Sequence, residues 1–188
     1  HVRRRVEAWA DPWSDIANKG YQVAQALFAI GTGGWFGMGL YRGMPEKIPV
    51  VDKDFVFAAI SEEMGALYAL CVLFLCLGCY MQFMLIAMKM QAMFYKLIAF
   101  GLGSVYITQV FLTIGGATKF IPMTGVTLPL VSYGGSSVMC TILMLAIIQG
   151  LYILREDEDE QIETQRKETI ERRGKRATPE RKRNRQTP

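Results

Sequence analysis

The chain has 188 residues, of which 51% are hydrophobic and 20% are charged, and its formal net charge is +4. Residues 56–154 contain only five charged side chains, at Glu62, Glu63, Lys89, Lys96 and Lys119. A soluble domain carries charged residues over its whole surface, so this distribution excludes an ordinary soluble domain and indicates a membrane protein.

The first segment, residues 1–19, is polar, and the chain does not begin with methionine. We expect the chain to be the later part of a longer protein, without its N-terminal portion. Residues 20–41 carry no charge, but their second half contains five glycines, each of which costs about 1 kcal/mol in a helix interior. This segment is therefore expected to be re-entrant or interfacial rather than a complete span.

Three later stretches are apolar enough to cross a bilayer, whose ~30 Å core needs roughly 20 residues of helix. Residues 64–88 and 97–118 carry no charge. The third stretch, residues 120–154, contains prolines and a Gly-Gly pair in its first half, so only its second half is an uninterrupted span. With a proline-containing loop over residues 42–53 and a long helix from about Asp54, the pattern predicts an all-α, polytopic membrane protein with three transmembrane helices.

The basic residues predict the orientation. Lys89 and Lys96 lie in one short connection and Arg155 opens the charged tail, so both regions are expected on the cytoplasmic side. The start of the helix near Asp54 then lies outside, as does the loop before the last span. The tail, residues 155–188, has 11 basic and 9 acidic residues, a mixture that favours a disordered, solvated tail over a nucleic-acid-binding segment.

The four cysteines all lie inside apolar stretches, and the only histidine is the first residue. Cys76 and Cys79 have the spacing of half a zinc or redox motif, but no second pair accompanies them. Burial as small hydrophobic residues is the better interpretation, so we infer neither a metal site nor a disulfide from these cysteines.

Four carboxylates flank the start of the first span, at Asp52, Asp54, Glu62 and Glu63. Glu62 lies about 12 Å along a helix from Asp54, at roughly 1.5 Å per residue, where an ionised group facing lipid is costly. The four are either anchors in solvent or parts of a polar site. Adjacent helix residues point about 100° apart, so the two glutamates cannot share a face. We predict that Glu62 lines a cavity and that Glu63 makes a structural contact.

The most specific pattern is FIPMTGVTLPLVSYGGSS, residues 120–137. It resembles the signature P-x-T-G-[IV]-x-L-P-[FL]-[VI]-S-Y-G-G-S-S of the SEDS family (shape, elongation, division and sporulation). Two further blocks, YQVAQALFAIGTGGWFGMGL and IPVVDKDFVFAAISEEMG, are similar to other family motifs, and the resemblance covers residues 6–154. It implies the C-terminal part of a ten-helix fold, with a large extracellular loop region (1–53), three transmembrane helices joined by the S-Y-G-G-S-S loop (54–154) and a cytoplasmic tail (155–188).

The resemblance implies a peptidoglycan glycosyltransferase of the bacterial cell membrane that polymerises lipid II on the outer face for elongation, division or sporulation. The implied partners are lipid II, a class B penicillin-binding protein and membrane lipid, with no nucleic acid. Two alternatives stay open: a lipid II transporter (flippase) in which the carboxylates gate movement, and a non-catalytic membrane scaffold that activates the penicillin-binding protein.

In the family the catalytic carboxylate is the Asp of an H-T-D-F motif, and the matching residue is Asp54. The chain departs from this motif with Asp52 in place of His and Lys53 in place of Thr, so the charges around the aspartate differ. Asp54 would act as general base for the attacking sugar hydroxyl. The pyrophosphate leaving group needs positive charge, which Lys47, Arg42, Lys53 or a divalent cation (Mg²⁺ or Mn²⁺) could supply.

The remaining substrate-binding residues that the resemblance implies are Gln25, Glu62, Ser132, Tyr133 and Ser136. The S-Y-G-G-S-S segment is expected to be a broken helix entry that lines the substrate groove, with Ser136 or Ser137 capping the last helix. The glycines of residues 31–39 have two interpretations, tight backbone packing or close approach to substrate phosphates. Thr113 stands where many relatives have Asn.

Overall fold

The computed structural model of the chain describes residues 2–13 and 20–183, with the side chains of residues 5–13 and 20–170. The described residues form five α-helices, a short 3₁₀ turn and no strand. In chain order these are α1 (Val2–Ala10), α2 (Tyr21–Gly33), the 3₁₀ turn (Pro45–Lys47), α3 (Val56–Lys89), α4 (Met93–Ala117) and α5 (Gly135–Arg183). The predicted all-α class is confirmed.

Three of these helices are long and apolar enough to cross a membrane: α3, α4 and the part of α5 that covers residues 135–170. They lie where the uncharged stretches predicted them, and the first begins at Val56, two residues after the expected start. The chain is therefore a multi-pass membrane protein. α2 has 13 residues, about 20 Å at 1.5 Å per residue, and is too short to span.

The helices pack in two clusters. α3 and α4 form an antiparallel hairpin in which the rings of Phe83 and Tyr106 meet edge to face at 5.3 Å, and Ile148 and Leu151 of α5 are buried against this hairpin. At the other end of α3, the buried core contains Phe55, which is completely inaccessible, together with small residues from α2, α3 and α4. The second cluster fixes the loop that precedes α3.

α3 is interrupted at Gly65, whose backbone angles (φ +87°, ψ 169°) are essentially restricted to glycine. In a continuous helix the N–H groups of Ala66 and Leu67 would donate to the carbonyls of Glu62 and Glu63. Here a glycine-rich insert, residues 34–39, replaces both bonds. The four substitute bonds run from Ala66 N to Gly34 O (2.9 Å), from Met38 N to Glu62 O (2.9 Å), from Leu67 N to Trp35 O (3.3 Å) and from Gly39 N to Glu63 O (2.9 Å).

The insert approaches α3 backbone to backbone. A Cβ atom at Gly33 would overlap the Ser61 carbonyl, and one at Gly37 would overlap the Glu63 carbonyl. These contacts favour tight packing as the reason for the glycines. They also explain why a non-helical segment is tolerated at this depth, since it satisfies the backbone groups that the break releases.

The structure differs from the predicted disordered tail, because α5 continues as a helix from residue 155 to Arg183. The preceding span supplies the helical nucleus, so each further residue only propagates it. Two i,i+4 ion pairs accompany this extension, Arg155–Asp159 (3.3 Å) and Lys167–Glu163 (3.4 Å). Residues 161–170 are all exposed, so the extension is solvated, as its charge predicts.

Candidate functional site

Asp54 lies at the end of a tight turn that leads into α3. The N–H groups of Lys53 and Asp54 donate to the Val50 carbonyl at 3.1 and 3.2 Å, and Val50 itself has a positive φ of 60°. The next residue, Phe55, is fully buried. Because this aromatic anchor and the turn fix the backbone on both sides, the half-buried Asp54 carboxylate is held at the head of α3.

The loop between α4 and α5 covers this turn. Tyr133 N–H donates to the Asp52 carbonyl at 2.7 Å, which joins the S-Y-G-G-S-S segment to the turn that carries Asp54. At Gly125 the backbone has φ +79°, and Asp54 Oδ2 lies 3.9 Å from the position that a Cβ would take. Because Gly125 has no Cβ, a space about the size of a methyl group lies beside the carboxylate, and we call this space the gap.

Arg5 of α1 reaches the same gap. Its Nη1 donates to the Thr124 carbonyl at 2.9 Å, and both terminal guanidinium nitrogens lie 3.7 Å from the Cβ position of Gly125. Sequence reasoning missed this residue, which stands 49 positions before Asp54 among three consecutive arginines. The one sequence feature that could have indicated a contact by Arg5 is Trp9, an aromatic residue four positions later on the same face of α1.

The surroundings of Asp54 pull its ionisation in opposite directions. Partial burial raises the pKa of Asp54 above its ordinary value, and the positive charges of Arg5 and Lys53 act against this rise in pKa. A carboxylate with a raised pKa accepts a proton more readily than one in water, while the two cations preserve the ionised form that can do so. The arrangement suits a general base.

Hydroxyl and amide groups secure the S-Y-G-G-S-S loop against α4. Gln109 Nε2 donates to the Thr127 carbonyl at 3.0 Å, Thr127 Oγ1 donates to Ser137 Oγ at 2.7 Å, and Thr113 Oγ1 donates to the Val126 carbonyl at 2.9 Å. Ser132 is buried, and its Oγ accepts from Leu128 N–H at 2.9 Å. This serine stabilises the turn.

The other residues predicted for this loop are more accessible. The Tyr133 side chain is 76% exposed and Ser136 is exposed, so both are open to a ligand. Ser137, in contrast, accepts the hydrogen bond from Thr127. Gln25 is half-buried on α2.

Lys47 belongs to a second cavity. A pocket of about 410 Å³ is formed by the loop before α3 and by one glutamate of that helix. It is lined by Tyr41, Gly43, Met44, Pro45, Glu46, Lys47 and Glu63. Arg42 is exposed on the same loop. The structure thus brings Asp54 together with Arg5 and Lys53, and it places Lys47 beside Glu63.

The two glutamates have the reverse of the predicted arrangement. Glu62 is 7% exposed, and its Oε1 accepts from Met44 N–H at 3.0 Å, whereas Glu63 lines the cavity. The prediction placed Glu62 over Asp54 by assuming that both lie in one helix. Asp54 lies before the first residue of α3, so the direction of its side chain does not follow the helical period. The loop instead folds back over α3 and covers Glu62.

We expect Glu62→Ala to lower the yield of folded, membrane-inserted protein, because the Met44 N–H loses a charged acceptor, a contact of about 1.5–3 kcal/mol. Glu62→Gln keeps an acceptor oxygen of the same reach and should recover most of that yield. Glu63→Ala is the matched control and should leave yield unchanged. Fluorescence-detected size-exclusion chromatography measures all three, and equal yields for Glu62→Ala and Glu63→Ala would refute the structural role of Glu62.

The residues that the structure describes contain no group of three or more His, Cys, Asp or Glu side chains that could hold a metal ion. The carboxylate donors around the gap are Asp54 and its neighbour Asp52, with Arg5 and Lys53 beside them. This donor set does not fit a protein-held Mg²⁺ or Mn²⁺.

Comparisons with known proteins give the family. The sequence model of the FtsW/RodA/SpoVE family, described as "Cell cycle protein", matches residues 1–156. The chain is 42% identical over 148 residues to the peptidoglycan glycosyltransferase RodA of Mycobacterium tuberculosis, covering 79% of this chain and 32% of that protein. It is 39% identical over 150 residues to the probable peptidoglycan glycosyltransferase FtsW of Aliivibrio salmonicida, covering 77% of this chain and 38% of that protein. The chain therefore spans about a third of the length of these curated relatives, and it belongs to the FtsW/RodA/SpoVE family, the SEDS family that its motifs indicate.

Proposed function

We propose that the chain forms the catalytic C-terminal part of a peptidoglycan glycosyltransferase that polymerises lipid II into glycan strands. One observation carries the proposal: the half-buried carboxylate of Asp54 faces the gap at Gly125, at the position of the family's catalytic aspartate. The relatives named as glycosyltransferases give the reaction class.

In the proposed reaction, the 4-hydroxyl oxygen of one lipid-linked disaccharide attacks the anomeric carbon of another. A carbon–oxygen bond forms there as the bond to the lipid pyrophosphate breaks, and the electron pair leaves with the pyrophosphate. Asp54 takes the hydroxyl proton, a role typically worth about 10²–10⁴-fold in rate. Lys53 lies next to Asp54 in the chain and acts on it electrostatically, so it could supply positive charge to the departing pyrophosphate.

Lys47 and Arg42 remain proposed phosphate ligands from the neighbouring loop, and Gln25, Tyr133 and Ser136 remain proposed substrate contacts. The exposed Tyr133 and Ser136 are best placed to touch substrate directly. Glu62 and Ser132, which were also predicted to bind substrate, are buried and instead hold the backbone of Met44 and Leu128. No step is assigned to a divalent cation, because the carboxylates near the gap do not form a ligand set.

We also propose that the site faces the outside of the bacterial cell membrane and that a class B penicillin-binding protein crosslinks the product. The orientation is supported by Lys89 and Lys96, which lie at the end of the α3–α4 hairpin away from Asp54. The tail then extends from α5 on the cytoplasmic side.

Cysteine labelling tests this orientation. A cysteine in place of Pro49, in the loop before α3, should react in intact cells with a membrane-impermeant maleimide, whereas a cysteine in place of Gln161 in the tail should react only after the membrane is opened. Each variant is made in a background without the four native cysteines. The reverse pattern would overturn both the topology and the outward-facing site.

The function itself is tested with the complete polypeptide, purified and supplied with fluorescent lipid II. A polymerase converts the substrate into long glycan strands that a gel resolves. A transporter in liposomes moves labelled lipid II between leaflets without polymer, and a scaffold does neither. Absence of polymer from folded, monodisperse preparations, with and without the penicillin-binding protein, would refute the proposal.

A further inference from the structure

α1 contacts the loop above Asp54 through two side chains one helical turn apart. Arg5 Nη1 donates to the Thr124 carbonyl at 2.9 Å, and Trp9 Nε1 donates to the Lys119 carbonyl at 3.0 Å. Both acceptors are backbone atoms of residues 119–125, which we call the gap loop. α1 therefore fixes the path of the gap loop whatever side chains that loop carries.

Two opposite charges lie close to one glycine of the gap loop, one from α1 and one from the turn before α3. The Cβ position of Gly125 is 3.7 Å from both terminal guanidinium nitrogens of Arg5 and 3.9 Å from Asp54 Oδ2. A Cβ there would touch both groups, and the positive φ of +79° also favours glycine. The opening is bordered by a proton acceptor on one side and by a fork of N–H donors on the other.

We propose that Arg5 is a positioning residue for the reaction: it fixes the gap loop beside Asp54 and orients the carboxylate toward a sugar hydroxyl that enters the gap at Gly125. Because Asp54 is a base only under the proposed function, this role of Arg5 rests on that function. This role makes α1 part of the site, although no motif in the sequence indicated it.

The charges around Asp54 support this role. Among the side chains that the structure describes, Arg5 of α1 and Lys53 of the turn before α3 are the cations that act on Asp54, and both lower the pKa of Asp54 that burial raises. Asp52 adjoins the turn that carries Asp54. Lys119 and Tyr133 belong to the loop between α4 and α5, and the Tyr133 N–H donates to the Asp52 carbonyl. Glu62 of α3 is turned toward Met44 instead. Removing Arg5 therefore removes the cation that lowers the pKa of Asp54 more strongly than Lys53 does.

The test is the pH dependence of lipid II polymerisation by the complete polypeptide. Without the guanidinium, the acid limb of the Arg5→Gln profile should move up by about one pH unit, which gives about a tenfold loss of rate on the acid side and much less at alkaline pH. Arg5→Lys keeps the charge and should keep the acid limb near its wild-type position, at a lower plateau because lysine cannot reproduce the fork. Arg166→Gln, an exposed arginine in the tail, is the control and should match wild type.

Two results would overturn the role of Arg5 while leaving the proposed function intact. One is an Arg5→Gln profile that superimposes on that of wild type. The other is an equal loss at every pH, with Arg5→Lys no better and the yield of folded protein reduced, which would make the residue merely structural. If Asp54→Asn polymerises lipid II as well as wild type does, Asp54 is not the general base and the role of Arg5 fails with it, whereas absence of polymer from the wild-type protein refutes the proposed function itself.

Discussion

Replacing Asp54 by Asn should lower the rate of lipid II polymerisation by about 10²–10⁴-fold, with the complete polypeptide still folded and inserted. Asn has the size of Asp and keeps one oxygen at the gap beside Gly125, but it cannot accept the proton of the attacking hydroxyl. The turn is held by backbone bonds from Lys53 and Asp54 to Val50, which the substitution leaves in place. The loss should therefore appear in the rate and not in the yield.

The matched control is Asp52→Asn, which removes a carboxylate two residues away. Asp52 is exposed, and the contact that it makes with Tyr133 uses its carbonyl, so the loop stays in place. Gel analysis of strands made from fluorescent lipid II compares the variants at equal protein concentration. Equal polymer from Asp54→Asn and Asp52→Asn would remove Asp54 from the chemistry.

The raised pKa of Asp54 gives stability and activity opposite dependences on pH. Since the folded state raises this pKa above the unfolded value, the stability that Asp54 contributes is greatest below the unfolded pKa and is lost as the pH rises through the folded pKa. Activity, which needs the ionised form, rises through that same range. Asp54→Asn should therefore unfold at the same temperature as wild type or higher at neutral pH, as expected for a site that sacrifices stability for function.

The spans could be predicted from the sequence because charge-free length is itself the physical requirement for crossing a bilayer. Asp54 could be proposed as the catalytic residue because a specific motif carries it. Arg5 could not, because its contacts with Thr124 and Gly125 arise only when α1 docks on a loop more than 100 residues away. Helical periodicity predicts which residues of one helix share a face, but it does not predict contacts between different elements.

The two glutamates show the same limit more sharply. The 100° rotation between adjacent helix residues correctly predicted that Glu62 and Glu63 point in different directions. It could not predict which one would be covered, because the loop that covers Glu62 comes from earlier in the chain. The break at Gly65 is hidden for a related reason. A single glycine inside an apolar run is compatible with a continuous helix, and only the partner segment at residues 34–39 shows that the helix opens here.

Replacing Gly65 by Ala should abolish most of the folded, inserted protein. Its backbone angles, φ +87° and ψ 169°, cost a non-glycine residue about 1–3 kcal/mol, and the new methyl group would overlap backbone atoms of Trp35, Phe36 and Gly37. Relief of that overlap requires expulsion of the insert, which leaves the N–H groups of Ala66 and Leu67 without their acceptors. Unsatisfied backbone groups cost several kcal/mol each away from water, so the total exceeds the roughly 0.5–3 kcal/mol of an ordinary substitution.

The same helix offers the control, because Gly78 lies in a regular stretch of α3 with no neighbouring atom within 4 Å of its Cβ position. Gly78→Ala should be neutral or stabilising by up to about 1 kcal/mol, the difference in helix propensity between the two residues. Both variants add one methyl group to one helix, so they differ only in what that methyl group meets. Yield after membrane extraction and the thermal midpoint of the purified protein measure the contrast. Equal values for Gly65→Ala and Gly78→Ala would mean that α3 can close into a continuous helix and that the insert is dispensable to the fold.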